Sequence, residues 1–172
     1  MNLLILDTSQ KIGLVALYRK GFNLIKKEFD ARDQQKFLID SVDALLNESE
    51  ILLTDLTGIS ICIGPGSFTG TRIGVMTGKT FAYANNIPLM IFNSLMPYHT
   101  PGTLTLLEQK NNECFCYDGQ VLKKIPYSMR ETEARPIFAI NPETIPFRTK
   151  QAIHSVENII SLLPVTEFQL IY

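Results

Sequence analysis

The chain has 172 residues, 45% of them apolar and 19% charged, a globular composition with material for a core and no signature of disorder. Its net charge of −1 provides no basic footprint for autonomous binding to nucleic acid or an anionic membrane. No apolar run approaches the roughly 20 residues that span a bilayer, and the opening MNLLILDTSQ reads as a strand ending at Asp7, not as a leader.

The first third of the chain carries strand signals. LLILD is an apolar run closed by an acid, and KIGLVALYRKGFNLIKKEF gives two β-rich segments around the turn-forming Arg19-Lys20-Gly21. From Asp33 to Asn47 the period changes: Leu38, Val42, Leu45 and Leu46 recur at helical spacing, with Asp30 or Asp33 available as a cap. Thr57-Gly58-Ile59-Ser60-Ile61-Cys62-Ile63 predicts a buried strand. A second helix follows from about Thr69 to Asn85, stopping before Pro88, and Pro88 to Phe92 is another strand. The resulting β-β-β-α-β-α-β order matches the ribonuclease-H-like half of actin and sugar-kinase folds.

The second half repeats the opening in reduced form. Leu104 to Glu108 again ends an apolar strand in an acid, so Glu108 answers Asp7. Glu113 to Tyr117 and Gln120 to Ile125 then flank the turn Asp118-Gly119. After the strand Pro136 to Ile140, one helix is predicted, from Lys150 to Leu163. The predicted architecture is α/β, an actin-like (ribonuclease-H-like) two-lobe fold, with residues 1–98 as the first lobe and 99–172 as a reduced second lobe.

The chemistry-bearing residues are few. Cys62, Cys114 and Cys116 cannot all pair, and Cys114 and Cys116 share one face of a strand, so reduced thiols in a cytoplasmic protein are expected. His99 and His154 are isolated from each other and from any metal-ligand spacing, so no metal site and no metallopeptidase motif is expected.

The stretch GPGSFTGTRIG, Gly64 to Gly74, stands out between strand and helix. Strand, glycine loop, helix is the arrangement that turns backbone N–H groups and a dipole end toward an anion. Asp7, Ser9, Gly66, Ser67 and Thr69 are the candidate anion-binding residues. The loop lacks the Lys-Ser/Thr ending of a Walker loop and the spacing of G-x-G-x-x-G, so a structural turn with Ser67 or Thr69 as helix cap competes with that reading. Within the helix, Gly70, Gly74 and Gly78 fall at i, i+4 and i+8 in one row, with Thr71 and Thr77 beside them. Three glycines in a helix interior are each unfavourable by about 1 kcal/mol against alanine. Close packing would offset this, either against the chain's own elements or against a helix of another protein. Arg72, a cation in the first turn, opposes the helix dipole unless it meets an acid or phosphate or is solvated.

GPGSFTGTRIG, preceded by ILDTS at the first strand, resembles the TsaB (YeaZ) family from Met1 to about Leu95, with weaker correspondence through Phe115. The resemblance implies an actin-like fold and a part in making threonylcarbamoyladenosine on tRNA. The implied part is that of a non-catalytic scaffold that pairs with a TsaD-like catalytic subunit through its first two helices, touches tRNA only indirectly, and associates with a TsaE-like ATPase or as a homodimer. It places Phe37, Ser41, Gly70, Arg72, Gly74, Thr77, Gly78 and Phe81 at the pairing surface, with ATP or ADP and Mg as candidates at the partner joint. The sequence departs from the family in having Gln34 where a histidine is common, Glu108 and Lys110 in place of Asp and Arg, and a short second lobe.

Two other functions compete with this reading. An ATP-binding actin-like phosphotransferase would use Asp7 to hold Mg through water, but it needs a second phosphate loop that the sequence does not supply. Asp7 then reads instead as a relic of that role or as a hydrogen-bond cap for neighbouring strands. Direct tRNA binding would use Lys26-Lys27, Lys123-Lys124 and Arg130, which lie scattered among acids and read as solvated surface.

Overall fold

The computed structural model describes residues 1–20, 25–30, 34–109, 112–132 and 135–140. These fall into two units, Met1–Ser94 and the described residues from Leu95 onward. The helix predicted from Lys150 to Leu163 lies outside the described residues.

In the first unit, β1 (Asn2–Asp7), β2 (Ile12–Arg19) and β3 (Ile25–Asp30) form an antiparallel meander. The helix α1 (Gln34–Glu48) then leads to β4 (Gly58–Cys62), which pairs with β1 in parallel. A second helix, α2 (Phe68–Asn85), carries the chain to β5 (Leu89–Phe92), parallel to β4. The sheet order is β3-β2-β1-β4-β5. Strand β1 is buried on both faces, which is why it reads as an unbroken apolar run. Its alternate residues Leu4 and Leu6 join Val15, Leu17, Ile59 and Ile61 in a core closed by Leu38, Val42 and Leu45 of α1 and Val75 and Ala82 of α2.

The ends of α2 follow local chemistry. Ser67 is the N-cap, its hydroxyl accepting from the Gly70 N–H at 3.2 Å, so the helix begins one residue before the expected Thr69. At the other end Asn86 takes the left-handed conformation (φ 53°), and the Ile87 N–H returns to the Ala82 carbonyl just ahead of Pro88.

The second unit contains β6 (Leu104–Glu108), β7 (Glu113–Tyr117), β8 (Leu122–Pro126) and β9 (Ile137–Ile140) in the order β8-β7-β6-β9. The pair β6–β7 is antiparallel, β7–β8 antiparallel and β6–β9 parallel. This is the β3-β2-β1-β4 pattern over again, with Glu108 at the end of β6 where Asp7 ends β1. Between β8 and β9, where the first unit has α1, the described chain shows a short 3-10 segment, Tyr127–Thr132. Cys114 and Cys116 point to one small core with Leu104 and Leu106, and the three cysteines are buried and form no disulfide.

Candidate functional site

The end of β1, the glycine loop and the start of α2 meet in a buried polar joint. Asp7 Oδ1 accepts from the Ser9 N–H at 2.9 Å and from the Ser9 hydroxyl at 2.6 Å, and the Cys62 thiol donates to Ser9 Oγ at 3.5 Å. Burial raises the Asp7 carboxyl above its usual 3.8, opposed by the Ser9 bonds and by Cys62. Burial likewise pushes the Cys62 thiol well above its usual range, and the neighbouring Asp7 charge adds to the effect.

The loop, whose Gly64–Pro65 peptide is cis, is tied from both sides. Ser67 N–H donates to the Ser9 carbonyl at 2.7 Å, and a side chain on Gly66 would overlap that same carbonyl. From the other side, Ser94 donates its N–H to Gly64 O at 2.8 Å and its hydroxyl to Pro65 O at 2.6 Å. Gln10 Nε2 adds a bond to Pro65 O at 3.3 Å. Of the candidate anion-binding residues, Asp7 and Ser9 are therefore engaged with each other, and Ser67 with Ser9 and the helix. Gly66 fits against backbone, and Thr69 is exposed. These residues fit an internal joint and do not fit a cradle for nucleotide phosphate or its metal. Among the described residues no three metal-ligating side chains come together.

The glycine row requires a correction. Gly70, Gly74 and Gly78 are buried, and Gly74 and Gly78 face Thr8 and the strands of this chain's own sheet. The Thr8 hydroxyl donates to Gly70 O at 2.6 Å, and a methyl on Gly74 would overlap that hydroxyl. A methyl on Gly78 would overlap Ile61 of β4 and come within 3.4 Å of Leu6 of β1. The row lets α2 lie tightly over β1 and β4, so these three glycines are not a docking face for a foreign helix. The reason is rotational: Val75 and Ala82, on the same side of α2 as the row, bring it onto the core.

The remaining pairing-surface candidates lie elsewhere on the two helices. Phe37 and Arg72 are exposed, while Ser41, Thr77 and Phe81 are half-buried. The Arg72 guanidinium stacks 3.7 Å over the Phe68 ring, a cation–π contact that explains its place in the first turn. Opposite the glycine row, α2 presents Met76 (64% exposed) and Tyr83 (92% exposed), two apolar-bodied residues that the sequence reading passed over. Their i, i+7 spacing, on the far side of the helix from Gly74 and Gly78, was the signal that could have found them. Thr8 and Ser94 were missed as well: Ser94 lies 29 residues from its partner Pro65, and no local pattern announces such a contact. The basic dipeptides carry ion pairs, Lys26 to Glu28 at 2.5 Å, Lys27 to Glu48 at 2.6 Å and Lys124 to Glu113 at 2.6 Å.

Residues 27–120, more than half of the chain, match the family model for tRNA N6-adenosine threonylcarbamoyltransferase, TsaD. The chain belongs to that family. Within the family its likeness is to TsaB (YeaZ): it is 35% identical over 101 residues to the tRNA threonylcarbamoyladenosine biosynthesis protein TsaB of Bacillus subtilis, covering 55% of this chain and 42% of that relative. The match spans about two fifths of the length of the curated TsaB relatives. Among solved structures, YeaZ from Pseudomonas aeruginosa superposes with a TM-score of 0.71 at 19% identity, covering 96% of this chain and 99% of that one. A second Pseudomonas aeruginosa structure, of an uncharacterized protein with similarity to peptidase YEAZ, gives 0.77 at 19% identity, covering 99% and 98%. The TsaB (YeaZ) resemblance read from GPGSFTGTRIG therefore holds, and the fold is actin-like (ribonuclease-H-like).

Proposed function

We propose that this chain is a non-catalytic subunit in the making of threonylcarbamoyladenosine on tRNA, and that it pairs with a TsaD-like catalytic subunit through the outward faces of α1 and α2. The observation that carries the reading is the apolar surface on those faces: Phe68, Met76 and Tyr83 on α2, with Phe37 on α1, all exposed. Arg72 stands among them, while Ser41, Thr77 and Phe81 lie at the margins. Relatives named for this biosynthesis support the reading. The internal commitment of Asp7 and the glycine loop speaks for a scaffold over a phosphotransferase.

Contact with tRNA then falls to the partner, since Lys26, Lys27 and Lys124 are already engaged with acids on this chain's surface. The same faces would serve a homodimer when the partner is absent, and a TsaE-like ATPase would join the assembled pair. A nucleotide, if held, sits at the joint with the partner. No helix among the described residues is long and apolar enough to cross a membrane. A cytoplasmic setting goes with tRNA as the final substrate.

Size-exclusion chromatography of the purified chain with a TsaD-like subunit tests the proposal. Co-elution is expected for the native chain. Tyr83→Glu and Met76→Glu should lose it while leaving the melting temperature unchanged, because both side chains stand in solvent. No co-elution of the native chain, with ATP present, would overturn the pairing.

A further inference from the structure

The second unit contains a histidine whose surroundings suit only one of its charge states. His99 follows the short 3-10 turn Met96–Tyr98, and its ring lies edge-on to Tyr117 at 5.3 Å between centroids. Its Nε2 faces Gly119 so closely that a Cβ there would sit 2.6 Å away. Gly119 occupies the turn between β7 and β8 with φ at +97°, a conformation side chains rarely adopt. The Tyr117 hydroxyl donates to the Gly119 carbonyl at 2.9 Å, and Asp118 Oδ1 accepts from the N–H groups of Gln120 at 3.0 Å and Val121 at 2.8 Å. His99, Tyr117 and Gly119 thus close a ring of contacts around one turn.

The far side of the imidazole is the telling part. His99 Nδ1 is buried and has no hydrogen-bond partner among the described residues. In the neutral ring with its proton on Nε2, Nδ1 is a bare acceptor. Protonation turns Nδ1 into a donor with no acceptor among the described residues, and an unsatisfied buried donor on a charged ring is strongly disfavoured. The ring can meet that demand by swinging into water, which removes the body that Gly119 and Tyr117 rest on.

We propose that His99 is a proton-operated prop for the Asp118–Gly119 turn: uncharged it packs beneath the turn, and protonated it leaves and lets the turn loosen. The ionisable groups that bear on the ring are the Asp118 carboxylate, which favours the charged form, and the Tyr117 phenol, which burial keeps neutral. Burial outweighs Asp118 and holds the His99 ring below its ordinary 6.5. Asp118 itself is held below 3.8 by its two backbone bonds, so its own titration lies at more acid pH and does not overlap.

The test is an NMR titration of the full chain from about pH 8 to about pH 5, following imidazole C–H shifts and the exchange protection of the Gln120 and Val121 amides. Only two histidines exist, and His99→Phe identifies the His99 signals by their loss. The expected result is an imidazole midpoint below 6.5, with both amides shifting and losing protection at that same midpoint, and no such response in His99→Phe. Amides that stay flat through the His99 midpoint overturn the proposal. So does an amide response that survives unchanged in His99→Phe.

Discussion

Replacing Gly74 with alanine tests which way the glycine row faces, because the sign of the effect differs between the two arrangements. On an exposed helix face the change stabilises by about 1 kcal/mol, the propensity difference between the two residues. In this chain the new methyl would overlap the Thr8 hydroxyl, which is 1% exposed as a residue and held at 2.6 Å to Gly70 O. Overpacking of that kind is unfavourable by about 1–3 kcal/mol, and loss of the hydroxyl bond by a further ~0.5–1.5 kcal/mol. Setting the propensity gain against both leaves a net loss of about 2 kcal/mol. For a chain of this size that lowers the melting temperature by about 4–8 °C, readable by circular dichroism. A melting temperature that rises in Gly74→Ala would refute the packing assigned to α2. The cycle with Thr8→Ala sharpens the test: the double variant should be less destabilised than the sum of the singles by about 1 kcal/mol, because removing Thr8 makes room for the methyl.

Three further outcomes can be measured. Ser67→Ala removes the N-cap bond to Gly70 and should destabilise by about 1 kcal/mol, whereas Thr69→Ala, exposed and outside the cap, should stay within about 0.5 kcal/mol of the parent. Asp7→Asn keeps a neutral acceptor for Ser9 and removes a buried charge. Because the folded Asp7 pKa lies above the unfolded 3.8, the stabilising contribution of its protonated form is complete below 3.8 and is lost as pH rises through the raised value. Asp7→Asn should therefore melt higher than the parent at pH 7 and lose that advantage near pH 4, as followed by thermal melts across the range. On the surface, Tyr83→Glu should abolish co-elution with a TsaD-like subunit without changing the melting temperature.

The sheet was legible in the sequence because its signals are local. β1 and β4 are apolar runs of strand length, α1 keeps Leu38, Val42 and Leu45 at helical spacing, and Ser67 and Pro88 bracket α2. The echo of β1–β2–β3 in β6–β7–β8 was readable for the same reason: each half has an acid-ended strand followed by a hairpin. The role of the glycine row was not legible. A row of small residues says that something approaches closely, but helical periodicity alone does not say whether the neighbour is a strand of the same chain. That is decided by Thr8 and Leu6, which lie far from α2 in sequence, and by Ile61 on the strand just before the loop, none of which a helical pattern marks as the neighbour. The buried joint was only half legible. Asp7 stood out at the end of a strand, while its closure depends on Ser94, which no motif marks.

The corrected position of the row changes what it can contribute to partner binding. By letting α2 rest directly on β1 and β4, Gly74 and Gly78 fix the height and rotation of the helix, and rotation decides that Met76 and Tyr83 face outward. In the proposed pairing the glycines would therefore act on a partner only through the pose of α2. A conservative change at Gly78 that leaves the chain folded should weaken co-elution modestly and in step with its loss of stability. Tyr83→Glu should remove co-elution at full stability. If instead Gly78→Ala abolished pairing while the melting temperature held, a foreign backbone would have to reach the row itself, and the packing of α2 against Ile61 would be the wrong account of why the glycines are there.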